Sequence, residues 1–300
     1  MGSVNIDFVM FVDEFPGVGE TVIAEHFSSY PGGKGGNQAI TAAQLGAEVC
    51  FLGKLGQDEY SEKLLVSLQE SGVNIDSVVT ADGSSGVAMI RVDRHGQNSI
   101  SFCPSSSGSL TKAEIDAKQD IFQPGRVLLA TFEAGVDVVY EAAKLSKSRD
   151  MLVIVDPAPM AAAVPPDFPP YVDIIKPNEV EAAQMTGISV TDLPSARRAL
   201  EKLVVMGYRC PIITLGDKGA VYYADNRVYY AEPVKVNAID STAAGDVFVG
   251  ALAAGIIQGR DLHESIKFAS AAAAFSTTFK GARTSIPTLE SLLEFYQTLA

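Results

Sequence analysis

The chain has 300 residues, 47% apolar and 20% charged, the balance of a globular protein and not of a disordered one. A net charge of −13 excludes a general nucleic-acid or anionic-membrane surface, while leaving room for a small basic pocket for a nucleotide. The scattered Cys50, Cys103 and Cys210, and the equally dispersed His26, His95 and His263, exclude a disulfide framework and a zinc-type cluster.

The longest apolar run, residues 247–257, is too short to span a bilayer, and no signal-peptide pattern precedes the first element. The expectation is a soluble, cytoplasmic protein. In chain order, residues 8–12 and 21–27 are β-prone runs separated by the turn Pro16-Gly17-Val18-Gly19. The cluster Pro31-Gly32-Gly33-Lys34-Gly35-Gly36-Asn37 then opens an alanine-rich helix over 38–45. It is not a P-loop, because Gly35 follows Lys34 where Ser or Thr is required and Ser28 stands at the motif's first glycine. Nor is it a dinucleotide fingerprint, since no strong parallel strand feeds a matching glycine pattern. On its own it is a flexible turn.

Residues 49–55 predict a buried strand and 59–71 an amphipathic helix with Leu64, Leu65 and Leu68 inward. Residues 87–92 and 99–102 flank Asp93-Arg94-His95-Gly96 as a hairpin. From 127 the rhythm becomes strand then helix: strands 127–131, 151–155, 174–175 and 212–215, and helices 136–146, 178–186 and 193–206. Such alternation implies a parallel sheet with helices on both faces. A hairpin turning at Asp225-Asn226 follows, and helices over 244–258, 262–279 and 288–298 close the chain. No internal repeat, low-complexity tract or interdomain linker is visible.

The segment Asp240-Ser241-Thr242-Ala243-Ala244-Gly245-Asp246 is a small-residue turn opening an apolar helix. Free N–H groups at a helix N-terminus form an anion site, which Ala243, Ala244 and Gly245 leave sterically open. Asp246 reads either as a helix cap or as a base that takes a proton from an attacking hydroxyl.

Taken together, these stretches resemble the ribokinase family, the pfkB-type carbohydrate kinases, over nearly the whole chain. The motifs carrying the resemblance are Gly2-Ser3-Val4-Asn5-Ile6-Asp7, the 31–39 glycine loop, Asp156-Pro157-Ala158, Pro177-Asn178-Glu179-Val180-Glu181, Thr214-Leu215-Gly216-Asp217-Lys218-Gly219 and the 240–246 turn. The resemblance implies one doubly wound α/β domain over 1–300, with a small β-sheet lid from about 7–30 and 86–103 and a homodimer through that lid. It implies transfer of the ATP γ-phosphoryl group to a sugar hydroxyl, first of all the 5-hydroxyl of D-ribose. The alternatives are another sugar or nucleoside kinase on the same fold, or a catalytically silent sugar-binding homologue.

Residue by residue, it implies that Asn5, Asp7, Gly33, Lys34, Asn37 and Glu133 hold the sugar. Asp246 is then the base, with Ala243, Ala244 and Gly245 as the anion hole. Asn178 and Glu181 serve the phosphates and Mg²⁺, Glu181 indirectly. Thr214, Gly216, Gly219, Gly245 and Ser270 serve the nucleotide. A monovalent cation, K⁺, falls to Asp240, Thr242, Ser276, Phe279, Gly281 and Ser285. Four departures stand out. Gly36 replaces a common alanine, Ser241 a more usual threonine and Phe279 an often basic residue. Almost all of the family's first strand is missing before Gly2, which implies weaker anchoring of Asn5 and Asp7.

Overall fold

A computed structural model describes residues 1–160 and 163–298. Strands β1 (Asn5–Phe11) and β2 (His26–Gly32) precede helix α1 (Lys34–Gln44). Short strands β3 (Val49–Cys50) and β4 (Lys54–Gly56) lead into α2 (Ser61–Glu70). Next come β5 (Val73–Asn74), β6 (Val79–Ala81) and the hairpin β7 (Gly86–Val92) and β8 (Asn98–Cys103). After α3 (Lys112–Ala117) follow β9 (Val127–Thr131), α4 (Val136–Ser148), β10 (Leu152–Asp156), β11 (Ile174–Ile175), α5 (Glu179–Thr186), α6 (Leu193–Val205) and β12 (Cys210–Thr214). Strands β13 (Ala220–Ala224) and β14 (Arg227–Ala231) then lead to α7 (Ala244–Ile257), α8 (Leu262–Ser276) and α9 (Leu289–Thr298).

The main sheet runs β14-β13-β12-β11-β10-β9. Its four strands from β9 to β12 are parallel, and β13 and β14 add an antiparallel edge. Alternation along β10 sends Val153 and Val155 to one face and Ile154 to the other, and each face has its own core. One core joins the sheet to α1, α2, α7 and α8, the other to α3, α4, α5 and α6. The fold is therefore the α/β arrangement expected from the alternating pattern.

A second sheet, β2-β1-β7-β8, is mixed: β1 pairs antiparallel with β2 and parallel with β7, which pairs antiparallel with β8. Four elements differ from the sequence reading. Helix α1, expected over 38–45, begins at Lys34, so residues 34–37 of the glycine cluster form its first turn. The strand expected over 21–27 lies at His26–Gly32, and Ile23 stands almost wholly exposed. Its β-branched run has the propensity for a strand, but pairing with β1 selects the later segment. The strand expected over 49–55 is split into β3 and β4, which pair with β5 and β6. The helix expected over 262–279 stops at Ser276. There Ser276, Thr277 and Thr278 donate their hydroxyls to carbonyls three residues back, competing with the helix ladder.

The expectation of weak anchoring at the N-terminus is not met. Met1 donates its amino group to the Leu129 carbonyl, its own carbonyl accepts from Thr131 N–H, and Gly2 N–H donates to Leu52. Strand β1 is then held along both edges, which fixes Asn5 and Asp7.

Candidate active site

Helix α7 positions the centre of the site. Its core is apolar on every side because it is sandwiched between α1 and α8 against the sheet. A Cβ at Gly250 would lie 2.6 Å from both the Gln38 carbonyl and Thr41 Cβ, so only glycine permits this approach of α1 to α7. Gly250 follows Asp246 by one turn, as Thr41 follows Asn37. The close crossing thus sets Asn37 and Gln38 beside Asp246.

Asp246 is buried, and its carboxylate accepts from Asn37 Nδ2 at 3.0 Å and from Gln38 Nε2 at 3.2 Å. Lys34 Nζ lies 3.8 Å away. Asp246 therefore faces across to α1 and does not cap its own helix; no side chain caps α7 at all. Its N-cap, Ala243, adopts a left-handed φ of 63°, a conformation that turns the chain sharply into α7. The Asp246 carboxylate, more than any other cause, raises the pKa of Lys34 and keeps it cationic.

Asn5 and Asp7 are two apart on β1 and share one face. Asn5 Nδ2 donates to Asp7 Oδ1 at 2.5 Å, and Asn5 Oδ1 is buried without a partner. Burial pushes the Asp7 carboxyl up to about 6; Arg283 and Asn5 oppose that rise, and Asp246 adds to it. Gly33 has φ 94°, and a Cβ there would lie 2.7 Å from Asn5 Oδ1. It delivers Lys34 to the first turn of α1. Glu133, just after β9, accepts from Lys34 N–H at 2.8 Å and from the Ser3 hydroxyl. Its carboxyl is pushed up to about 7, chiefly by burial.

Asn178 and Glu181 form a reciprocal capping box at the start of α5: Asn178 Oδ1 accepts from Glu181 N–H, and Glu181 accepts from Asn178 N–H, both at 2.8 Å. Glu181 is buried, in contrast to an ordinary exposed helical acid, and its pKa is raised by burial and by Asp156. Thr214 bridges to Asn178, so the turn after β12 adjoins this box. Within that turn Gly216 and Gly219 take positive φ of 55° and 81°. Ser270 lies half-buried on α8, and none of the hydrogen bonds around Asp246 reaches it.

Asp240 joins the two segments expected to hold a cation. Its Oδ1 accepts from Thr242 N–H and hydroxyl, and its Oδ2 accepts from Gly281 N–H at 2.9 Å. Burial opposes ionisation, but these hydrogen bonds and nearby Lys280 outweigh it and hold the carboxyl below its usual range. Ser276 and Ser285 are buried in the same region, while Phe279 is exposed. The Asp240 carboxylate, held ionised beside the 277–285 loop, is a hard-oxygen donor of the kind a monovalent cation takes. No group of three or more His, Cys, Asp or Glu suited to a metal occurs among the described residues.

Five residues to which the sequence reading gave no role complete the cluster. Gln38 also donates to Asp156, which faces Lys176 Nζ at 3.3 Å, both of them buried. Ser3 binds Glu133. Arg283 donates to Asn37 Oδ1, the Gly32 carbonyl and the Ser67 hydroxyl. A cavity of about 320 Å³ between α1 and β9 adjoins the cluster through Gln38 and is lined by Met1, Cys50, Leu52, Phe122 and Leu128. Asp246, Asn5 and Asp7 do not line it.

Comparison with known proteins agrees with this geometry. Residues 1–289 match the pfkB family carbohydrate kinase model. The chain is 34% identical to a ribokinase from Haemophilus influenzae, over 99% of this chain and 97% of that one. It is 32% identical to a deoxyribokinase from Salmonella typhi, over 98% and 97% respectively. It is also 37% identical to a bifunctional ribokinase/ribose-5-phosphate isomerase A from Fructilactobacillus sanfranciscensis, covering 98% of this chain but 55% of that protein. The structure of Arabidopsis thaliana ribokinase complexed with ribose and ATP superimposes with a TM-score of 0.91 at 28% identity, covering 98% of this chain and 96% of that one.

The fold and the family match define a carbohydrate kinase. The chain belongs to the pfkB family, and within it to the ATP-dependent sugar kinases of the ribokinase type.

Proposed function

We propose that the protein transfers the γ-phosphoryl group of ATP to the 5-hydroxyl of D-ribose, with Asp246 as the base. The observation that carries this is the buried Asp246 carboxylate, which faces the sugar loop through Asn37 and Lys34 at the mouth of an uncapped helix N-terminus. Asn5 and Asp7 supply desolvated acceptors on one face, suited to sugar hydroxyl donors; the unpartnered Asn5 Oδ1 and the raised Asp7 pKa support that role. Glu133, Gly33 and Lys34 complete the grip from the loop side.

Asp246 accepts the hydroxyl proton as the sugar oxygen attacks phosphorus, and the leaving ADP carries away the charge of the broken bond. N–H groups over Ala243, Ala244 and Gly245 stabilise charge developing on the transferred group, and Lys34 adds its cation beside them. The turn with Thr214, Gly216 and Gly219, together with Asn178 and Ser270, holds the nucleotide. Mg²⁺, served indirectly by Glu181, would neutralise phosphate charge when bound. K⁺ at Asp240, Thr242, Ser276, Phe279, Gly281 and Ser285 would set the field of the adjoining N–H groups. The β2-β1-β7-β8 sheet serves as a lid that excludes water, a competing nucleophile. The protein works in the cytoplasm on these small molecules, without nucleic acid or membrane.

2-Deoxyribose is the second reading, favoured by the similar identity to a deoxyribokinase. A coupled ADP-release assay with ribose, 2-deoxyribose, fructose and adenosine tests both. Ribose should give the highest kcat/KM, and a clear preference for any other acceptor overturns the ribose assignment. In the same assay Asp246→Asn should lower kcat by about two to four decades. A loss below about tenfold, with phosphoryl transfer rate-limiting, would remove Asp246 from the base role.

A further inference from the structure

Arg283 lies on the loop after α8, 246 residues from Asn37 in sequence, yet its guanidinium is inserted under the sugar loop. Nε donates to Asn37 Oδ1 at 3.4 Å, Nη2 to the Gly32 carbonyl at 2.8 Å and Nη1 to the Ser67 hydroxyl at 2.5 Å. Three elements are thus tied by one planar group: α1, the end of β2, and α2. The contact with Asn37 has a chemical consequence. A carboxamide has one acceptor end and one donor end, and Arg283 claims the acceptor. Nδ2 is therefore left to donate to Asp246 Oδ2, at 3.0 Å. With the amide flipped, an oxygen would face the carboxylate and repel it.

The space that Arg283 fills depends on position 36. A Cβ built on Gly36 would fall 2.7 Å from Arg283 Nη2 and 3.7 Å from Cζ, and 3.3 Å from Val4 Cγ2. Val4 is fully packed in the core, so the strain of an alanine would fall on the guanidinium. Gly36 and Arg283 are a matched pair. The glycine's place in the loop, unexplained by sequence alone, is accounted for by what occupies the room it leaves.

We propose that Arg283 is a positioning residue of this kinase, seated in the slot opened by Gly36, which fixes the Asn37 carboxamide toward Asp246 and pins the Gly32 end of β2 against the sugar loop. This deepens the sugar-kinase reading and rests on it. The loop carrying Arg283 also carries Gly281, whose N–H binds Asp240, so the position of that loop is transmitted to Asn37. The charge of Arg283 further offsets Asp7, the other groups facing Asp7 being Asn5 and Asp246.

The test is a double-mutant cycle on kcat/KM for the preferred sugar, with circular dichroism and Tm to certify folding. Arg283→Ala should lower kcat/KM by about tenfold or more, as expected for lost charge-assisted hydrogen bonds. Arg283→Lys should restore only part, since one ammonium cannot serve three acceptors in a plane. Gly36→Ala should cost about tenfold in the parent but less than about twofold in the Arg283→Ala background, because its tightest contact, with the guanidinium, is already gone. Additive losses would overturn the pairing, and an Arg283→Ala enzyme with unchanged kcat/KM would overturn the positioning role. A ligand-free readout separates this from the kinase assignment. Arg283→Gln should raise the Asp7 carboxyl pKa above about 6 by carbon-detected NMR, whichever substrate the enzyme prefers. An unchanged Asp7 titration would show that the guanidinium does not face the sugar site, whereas absence of sugar phosphorylation by the unaltered protein would instead sink the functional reading.

Discussion

The carboxyl of Asp7 sits at about 6 because burial on β1 outweighs the attraction of Arg283 and the hydrogen bond from Asn5. In the proposed role Asp7 accepts two hydroxyl protons and must be ionised, so sugar capture should weaken as pH falls through that value. Stability runs the other way. Between about 4 and 6 the unfolded chain has lost this proton and the folded chain retains it, so the group's contribution to stability falls as pH rises through that window. We predict an acidic limb near pH 6 in kcat/KM for the sugar. Glu133, pushed up to about 7, titrates nearby, so the limb must be assigned by substitution. Glu133→Gln should leave a limb near 6, while Asp7→Ala should abolish it and raise KM steeply with ATP affinity unchanged in the absence of sugar. A limb that persists in Asp7→Ala belongs to another group. Of the residues concerned, Asn5, Asp7, Asn178, Glu181 and Asp246 were legible because each lies in a short contiguous motif. Arg283, Gln38 and Lys176 were not, because each acts on a partner remote in sequence and looks ordinary in its own neighbourhood. The Gly36 slot is the extreme case, since neither member of the pair signals the other.

At the scale of elements, the sequence was readable where an element carries its own signal. The strands from β9 to β12 are apolar runs bounded by helices, and capping boxes begin α5, α6 and α8. It was unreadable where pairing decides, as with β2, which displaced the apparent strand over 21–27. The end of α8 was misjudged for a related reason: the run of Ser276, Thr277 and Thr278 turns its hydroxyls back on the helix. That early stop frees residues 277–285 to form the loop that meets the 240–246 turn. Asp240 N–H and Ile239 N–H both donate to the Thr277 carbonyl, and Asp240 accepts from Gly281. The turn that leads into the N-terminus of α7 is thus built against this loop. A cation seated there would orient the N–H groups of 241–245, and its effect should appear in catalysis more than in folding. We predict activation by potassium well above sodium at matched ionic strength, with Asp240→Ala removing the difference. Matching ionic strength excludes general screening. Equal rates in potassium, sodium and a bulky organic cation would remove the site.

For the whole molecule, the small sheet poses a question of exposure. Its register places Asp7, Ala88 and Phe102 side by side, and Val9, Ile90 and Ile100 one step outward on the same face. The Asp7 face of β1 therefore continues directly into an apolar strip that ends in Ile100 on β8, 55% exposed, while Tyr30, paired to Asp7 on β2 at the other edge of the sheet, is 50% exposed. Phe27 and Met89 add exposed area on the opposite face, where Phe8 packs on Tyr60 of the main body. A two-layer sheet domain buries such a strip against another layer, and among the described residues Ile100 at its outer end is left exposed. We propose that the same sheet of a second copy covers it, brought face to face by a two-fold axis. Because the strip adjoins Asp7, that partner would also wall the open side of the proposed sugar site, linking assembly to the exclusion of water. We predict a dimer by sedimentation velocity at micromolar concentration. Ile100→Glu should yield monomers with an unchanged Tm for the main body, and should raise the sugar KM because each cleft loses a wall. A monomeric parent would overturn the pairing. An Ile100→Glu monomer with unaltered KM would leave the dimer but separate it from catalysis.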